Sequence, residues 1–276
     1  MRTVPKIVLL ALLGLLVLTS AGAGAATSGQ ADQPDRPLRV LTYNIRHGQG
    51  IDGVLDLERI ASLIERSGAD VVGLQEVDKH WSRRSGWEDQ PAWLARRLDL
   101  HYAYGPNLDL PPLRPGSPRR QYGTAILSRF PIEGSRNTVL PRYPRQERRG
   151  LLVATIAVRG TTVRFVDTHL TSNNKVERLE QAEQVVHLLG ASDEPTVIVG
   201  DFNARPDAPE ITTLTARWRD TWTEVGVGPG YTIEAGNPTA RIDYVLHSEK
   251  MRAVSAVVLD TSGSDHLPVL AELSVS

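Results

Sequence analysis

Apolar positions in this chain fall into short runs, and most runs stop at Gly, Asn or Asp. Leu38 to Tyr43 is one such run; it ends at Asn44 and predicts a strand. Leu57, Ile60, Ala61 and Ile64 recur at helical spacing, and Gly68 is placed to stop that helix. Val71 to Gln75 then reads as a strand, and Pro91 opens a predicted helix that reaches Leu98. Tyr122 to Ser128 is a further strand. Leu151 to Val158 and Thr161 to Thr168 form a hairpin that turns at Arg159-Gly160. Val176 to Leu189 predicts an amphipathic helix capped by Asn173 or Asn174. Strands are expected at Thr196 to Val199, Ile242 to Leu246, Ala253 to Leu259 and Val269 to Val275. Strand–helix units mix with hairpins, and the strands outnumber what one sheet needs. Two sheets face to face, with helices outside, fit this pattern better than one doubly wound sheet.

The first residues follow a different pattern. Arg2 and Lys6 precede the apolar run Ile7 to Leu18, and small residues from Ala21 to Ala26 offer cleavage sites. This predicts a secretory signal peptide over 1–26, with an uncleaved membrane anchor as the alternative. Residues 27–36 are polar with two prolines and read as a flexible leader. One domain is expected over 37–276. The formal charge is -1, and removal of Arg2 and Lys6 takes it to -3 (-1 - 2). That balance does not mark a dedicated nucleic-acid binder. There is no Cys, so neither a disulfide nor lipid attachment at a signal boundary is available. No stable protein partner is implied, and a monomer is expected.

Four strings place carboxylates, amides and imidazoles beside apolar runs. They are LTYNIR at Asn44, LQEVD at Glu76, VGDFNARPD at Asp201 and Asn203, and SDHLPV at Asp265 and His266. Side chains of this kind at strand ends suit a hard divalent cation and the hydrolysis of a phosphate ester. Three loops carry arginines, among them Arg119, Arg120, Arg148 and Arg149. These four are the candidates for contacts to an anionic substrate.

Taken in order, LTYNI, LQEVD, YGTAILSRFPI, VDTHL, VGDFNARP, RIDYV and SDHLPV resemble the endonuclease/exonuclease/phosphatase superfamily. The resemblance implies a four-layered α/β sandwich with its site at one edge. It implies Mg²⁺, or Mn²⁺ in its place, with Glu76 as principal ligand. The Asn44 amide oxygen and Asp265 would face the cation or its waters. His169 and Asn203 would donate to the phosphate, and Asp201 would orient the attacking water. His266 would act as general base, its tautomer set by Asp243. Arg46 departs from those members that carry an acid there. The implied activity is a secreted phosphodiesterase of nuclease type. A phosphoesterase of phospholipid or inositol-phosphate headgroups is the alternative, and a non-catalytic binding module a third reading.

Overall fold

The strand β1 (Leu38–Asn44) shows why the apolar runs lack polar alternation: both of its faces are covered. Leu38 and Val40 join a core between two sheets, while Leu41 and Tyr43 face the helices α1 (Leu57–Ser67) and α2 (Gln90–Leu98). The computed structural model describes residue 1 and residues 37–275. Apart from Met1, the expected signal peptide and leader lie outside the described residues. The unit that contains the fold begins at Asp35. No helix among the described residues is long and apolar enough to cross a membrane.

The first sheet adds β2 (Val71–Lys79), β3 (His101–Leu110), β4 (Arg120–Ser128), β11 (Met251–Val258) and β12 (Val269–Val275), in the order β11-β12-β1-β2-β4-β3. The second holds β5 (Ile132–Val139), β6 (Gly150–Val158), β7 (Thr161–His169), β8 (Thr196–Asp201), β9 (Arg219–Asp220) and β10 (Asp243–His247), in the order β5-β6-β7-β8-β10-β9. Each sheet has one parallel pair at its centre, β1–β2 and β7–β8, flanked on both sides by antiparallel pairs. Each parallel pair needs a crossover, supplied by α1 and by α3 (Lys175–Leu189). A third core lies between the outer face of the second sheet and α3 with α4 (Pro209–Thr215). The result is helix, sheet, sheet and helix in four layers, as expected.

The helix ends follow the sequence. Asp56 caps α1 by accepting from Arg59 N, and Gly68 closes it in the left-handed region at φ 63°. Of the two Asn candidates before α3, Asn174 is the cap; its side chain accepts from Val176 N and Glu177 N. Two departures bear on the site. β2 does not stop at Gln75: it bulges between Leu74 and Val77, then continues to Lys79. The buried face of α3 is not a plain apolar stripe, because Glu177, Arg178 and Gln181 are buried on it.

Candidate active site

Three strand ends and one bulge converge where the central parallel pairs finish. Asn44 closes β1, Glu76 sits in the bulge of β2, His169 closes β7 and Asp201 closes β8. The carboxyl ends of central parallel strands are where open α/β sheets hold ligands. Asp243 opens β10 and pairs directly with Asp201 across the sheet. The loop before β12 brings in Asp265 and His266. Its anchor is the buried Ser264, which donates to the Asn44 carbonyl at 2.7 Å and accepts from His266 N at 3.2 Å.

The hub is Asp201. Its Oδ2 accepts from Asn44 Nδ2 at 3.0 Å, lies 3.3 Å from His169 Nε2 and faces His266 Nε2 at 3.6 Å. Its Oδ1 accepts from Asn203 N at 2.9 Å. The same Asn44 nitrogen donates to Glu76 Oε1 at 3.1 Å, so one amide joins two carboxylates. Backbone strain gathers here. Glu76 (φ 57°), Asn203 (φ 50°), Arg46 (φ 45°) and His47 (φ 47°) all adopt the left-handed region without being glycine. Gly200, at φ 152°, must be glycine for another reason: a Cβ would lie 2.0 Å from the Thr168 carbonyl oxygen.

Proton positions follow from the partners. Arg149 Nη1 lies 3.0 Å from His169 Nδ1, and a guanidinium only donates. His169 therefore accepts at Nδ1 and carries its proton on Nε2, toward Asp201. Burial, then the charges of Arg149 and His266, hold His169 well below the usual imidazole range, so it is neutral. His266 is the reverse case. Its Nδ1 lies 2.9 Å from Asp243 Oδ2 and donates to that carboxylate. Burial opposes its charge, but Asp243 and Asp201 outweigh burial and raise it to about 10. Burial raises the Asp201 carboxyl to about 7, against the pull of His266 and with a push from Asp243.

Most of the residues singled out in the sequence meet at this place: Asn44, Glu76, His169, Asp201, Asn203, Asp243, Asp265 and His266. Two of them differ in detail from expectation. The Asn44 amide oxygen accepts from Arg46 N at 3.1 Å, and the amide nitrogen faces the carboxylates. Asn203 directs Nδ2 to the Leu170 carbonyl at 3.0 Å. Asp265 is half exposed and lies 3.5 Å from Arg46 Nε, so Arg46 serves as its counter-charge. Asp167 is structural: fully buried, it accepts from Gln75 Nε2 at 2.7 Å, and burial holds it well above the carboxylate range.

The four arginines separate. Arg149 is buried against His169, with Glu147 2.7 Å from the same nitrogen, and does not offer a surface contact. Arg119 pairs with Asp109 at 2.8 Å, and Arg120 donates to the Pro111 carbonyl at 3.0 Å. Arg148 stays exposed.

A sequence profile of the Endonuclease/Exonuclease/phosphatase family matches residues 41–266. The chain belongs to that family. An uncharacterised Escherichia coli (strain K12) protein, YbhP, is 28% identical over 251 residues, 85% of this chain and 95% of its own. The crystal structure of an endonuclease/exonuclease/phosphatase from Beutenbergia cavernae superposes with a TM-score of 0.76 at 30% identity, over 87% of this chain and 72% of that one. A mannosyl-6-phosphatase from Bacteroides thetaiotaomicron shares the fold alone, with a TM-score of 0.67 at 20% identity over 86% and 99% of the two chains.

Members of this family are phosphoesterases, and the donor set suits a divalent cation. Ligand-type atoms of Asp201, Asp243 and His266 lie within 4.8 Å of one another, and with His266 charged the two carboxylates are the donors among them. Glu76 stands one amide away from Asp201, and the buried Oδ1 of Asp243 has no hydrogen-bond partner. Carboxylate oxygens of this density match Mg²⁺ or Mn²⁺ better than a soft metal.

Proposed function

We propose that this protein is an exported, Mg²⁺-dependent phosphodiesterase of nuclease type. The observation that carries the reading is the Asp201 hub, where the imidazoles of His169 and His266 face one buried carboxylate beside Glu76. Glu76 and Asp265 would hold the cation, with the Asp201 side of the cluster completing its surroundings. When bound, the cation supplies Lewis-acid polarisation of a phosphoryl oxygen.

The electrostatics favour a division of labour that reverses the expected one. Asp201, raised toward neutrality, takes the proton from the attacking water. His266, kept charged by Asp243 and Asp201, donates to the phosphoryl group and neutralises developing charge. His169 presents its Nε2 proton, held there by Arg149. Asn203 contributes its second amide proton to the phosphate, the first being engaged by Leu170.

The test is a substrate panel with purified protein and Mg²⁺. Single-stranded oligonucleotides and bis(p-nitrophenyl) phosphate should be hydrolysed, and chelation should abolish turnover. Hydrolysis confined to phospholipid vesicles or soluble inositol phosphates would overturn the nuclease assignment and leave the phosphoesterase one. Export has its own test. Protein recovered from the medium should begin after about residue 26, and material starting at Met1 would count against it.

A further inference from the structure

Beside the carboxylate cluster the surface holds a trough of about 750 Å³, and Asn203 lies at its head. The opening turns of α3 form one wall with Lys175 and Val176. The segment from Arg205 to Pro209 forms the other. The floor includes a buried ion pair, Arg178 to Glu210 at 2.8 Å, with the two side chains 6% and 3% exposed. Arg178 also donates from Nη1 to the carbonyls of Thr171 and Ser172, which ties the floor to the loop before α3. The first free N–H groups of α3 are capped by Asn174, which leaves side chains to give the trough its charge.

Lys175 and Arg205 supply that charge. Both are exposed, both line the trough, and neither makes an ion pair among the described residues. Arg205 is two residues from Asn203, at most about 7 Å of chain. Val176 and Pro209 offer apolar surface between the cations and the floor. Asp207 adds one charge of the opposite sign on the Arg205 wall.

We propose that this trough is a subsite for a second phosphate of the substrate, held by Lys175 and Arg205 while the scissile phosphate sits at Asn203 and Asp201. The inference rests on the phosphodiesterase reading above and deepens it. The preferred substrate class is a phosphoester that carries another phosphate a short carbon skeleton away, as in a nucleotide chain or an organic bisphosphate. Arginine forks and a lysine point charge suit phosphate oxygens, and the apolar walls suit the skeleton between them.

Calorimetric titration of the whole protein in Mg²⁺ with two probes tests this: adenosine 5′-monophosphate and adenosine 3′,5′-bisphosphate. The parent should bind the bisphosphate about tenfold more tightly. The double variant Lys175→Ala/Arg205→Ala should bring the ratio close to one, and Asp207→Asn should widen it. Both cations are exposed, so an unchanged unfolding midpoint will verify the fold. Equal affinity for the two probes in the parent, or a ratio untouched in the double variant, overturns the proposal. Turnover of bis(p-nitrophenyl) phosphate is measured alongside. A preserved ratio without turnover sinks the catalytic reading and keeps the subsite; turnover without the ratio does the opposite.

Discussion

At the scale of single residues, the proposed mechanism gives the two histidines different tasks. The rate, as kcat/KM, should rise with pH through about 7 as Asp201 loses its proton, and fall through about 10 as His266 loses its own. Asp243→Asn removes the first of the two carboxylates that raise His266, so the alkaline limb should move to lower pH. A pH–rate profile checks this; a rising limb that moves to lower pH in Asp243→Asn, with the alkaline limb unmoved, would return the base role to His266. Arg149→Leu should lower kcat about 100-fold with a much smaller change in KM, because His169 loses the partner that fixes its proton. Nitrogen NMR of His169 should then show both tautomers, and Arg149→Lys should restore part of the loss. Glu76→Gln should weaken Mg²⁺ binding roughly tenfold or more by calorimetry without lowering the unfolding midpoint. The site's acids and imidazoles were readable because they stand in short strings at the ends of apolar runs. Arg149 was misread because RQERRG carries no sign that its last arginine turns inward. Nothing in SDHLPV tells that its first residue, the buried Ser264, ties the loop to Asn44.

At the scale of elements, the central strands were legible, and of the edge strands only β11 was. β1, β2 and β8 each carry a short, mainly apolar run because sheet or helix covers both faces, and β7 keeps Val163, Phe165 and Val166 buried among polar neighbours. β3 and β5 are edge strands, and their sequences, HYAYGPNLDL and IEGSRNTV, carry Pro106 and Gly134, which hide a strand pattern. α3 was found from its length and cap, although its inner face carries Glu177, Arg178 and Gln181. Glu177 Oε2 accepts from Tyr143 N and Gln181 Oε1 from Thr171 N, so these polar groups fasten loops rather than fill a core. β2 shows how closely the sheets approach: a Cβ on Gly73 would lie 2.3 Å from Val199 Cγ2 and 3.2 Å from Asp167 Cγ. Gly73→Ala should destabilise the fold by about 1–3 kcal/mol. Denaturant unfolding measures this, and a cost near zero would show that the sheets can part.

At the scale of the whole molecule, the two sheets share one central core. Val40 and Val71 from the first pack with Phe165 and Val199 from the second, and there is no Cys to tie either sheet internally. The sheets should therefore unfold together. Far-ultraviolet and near-ultraviolet circular dichroism should trace one coincident transition, unaltered by reducing agents. Separated transitions would mean that each sheet with its own helices is a folding unit.

The two sheets also repeat one order of pairing, with a parallel pair at the centre and antiparallel pairs on either side. Asn44, Glu76, His169, Asp201 and Asp243 thus stand on the central strands and β10, while Asn203, Asp265 and His266 reach the site from short loops beside them. The segments that shape the surroundings, such as 111–119 and 205–209, hang from the rim. A lineage with this plan can change its diet without relearning how to digest: rim segments can lengthen, shorten or recharge while the strand ends keep their places. For the engineer, the rim is where a library should be built and the strand ends are where it should stop.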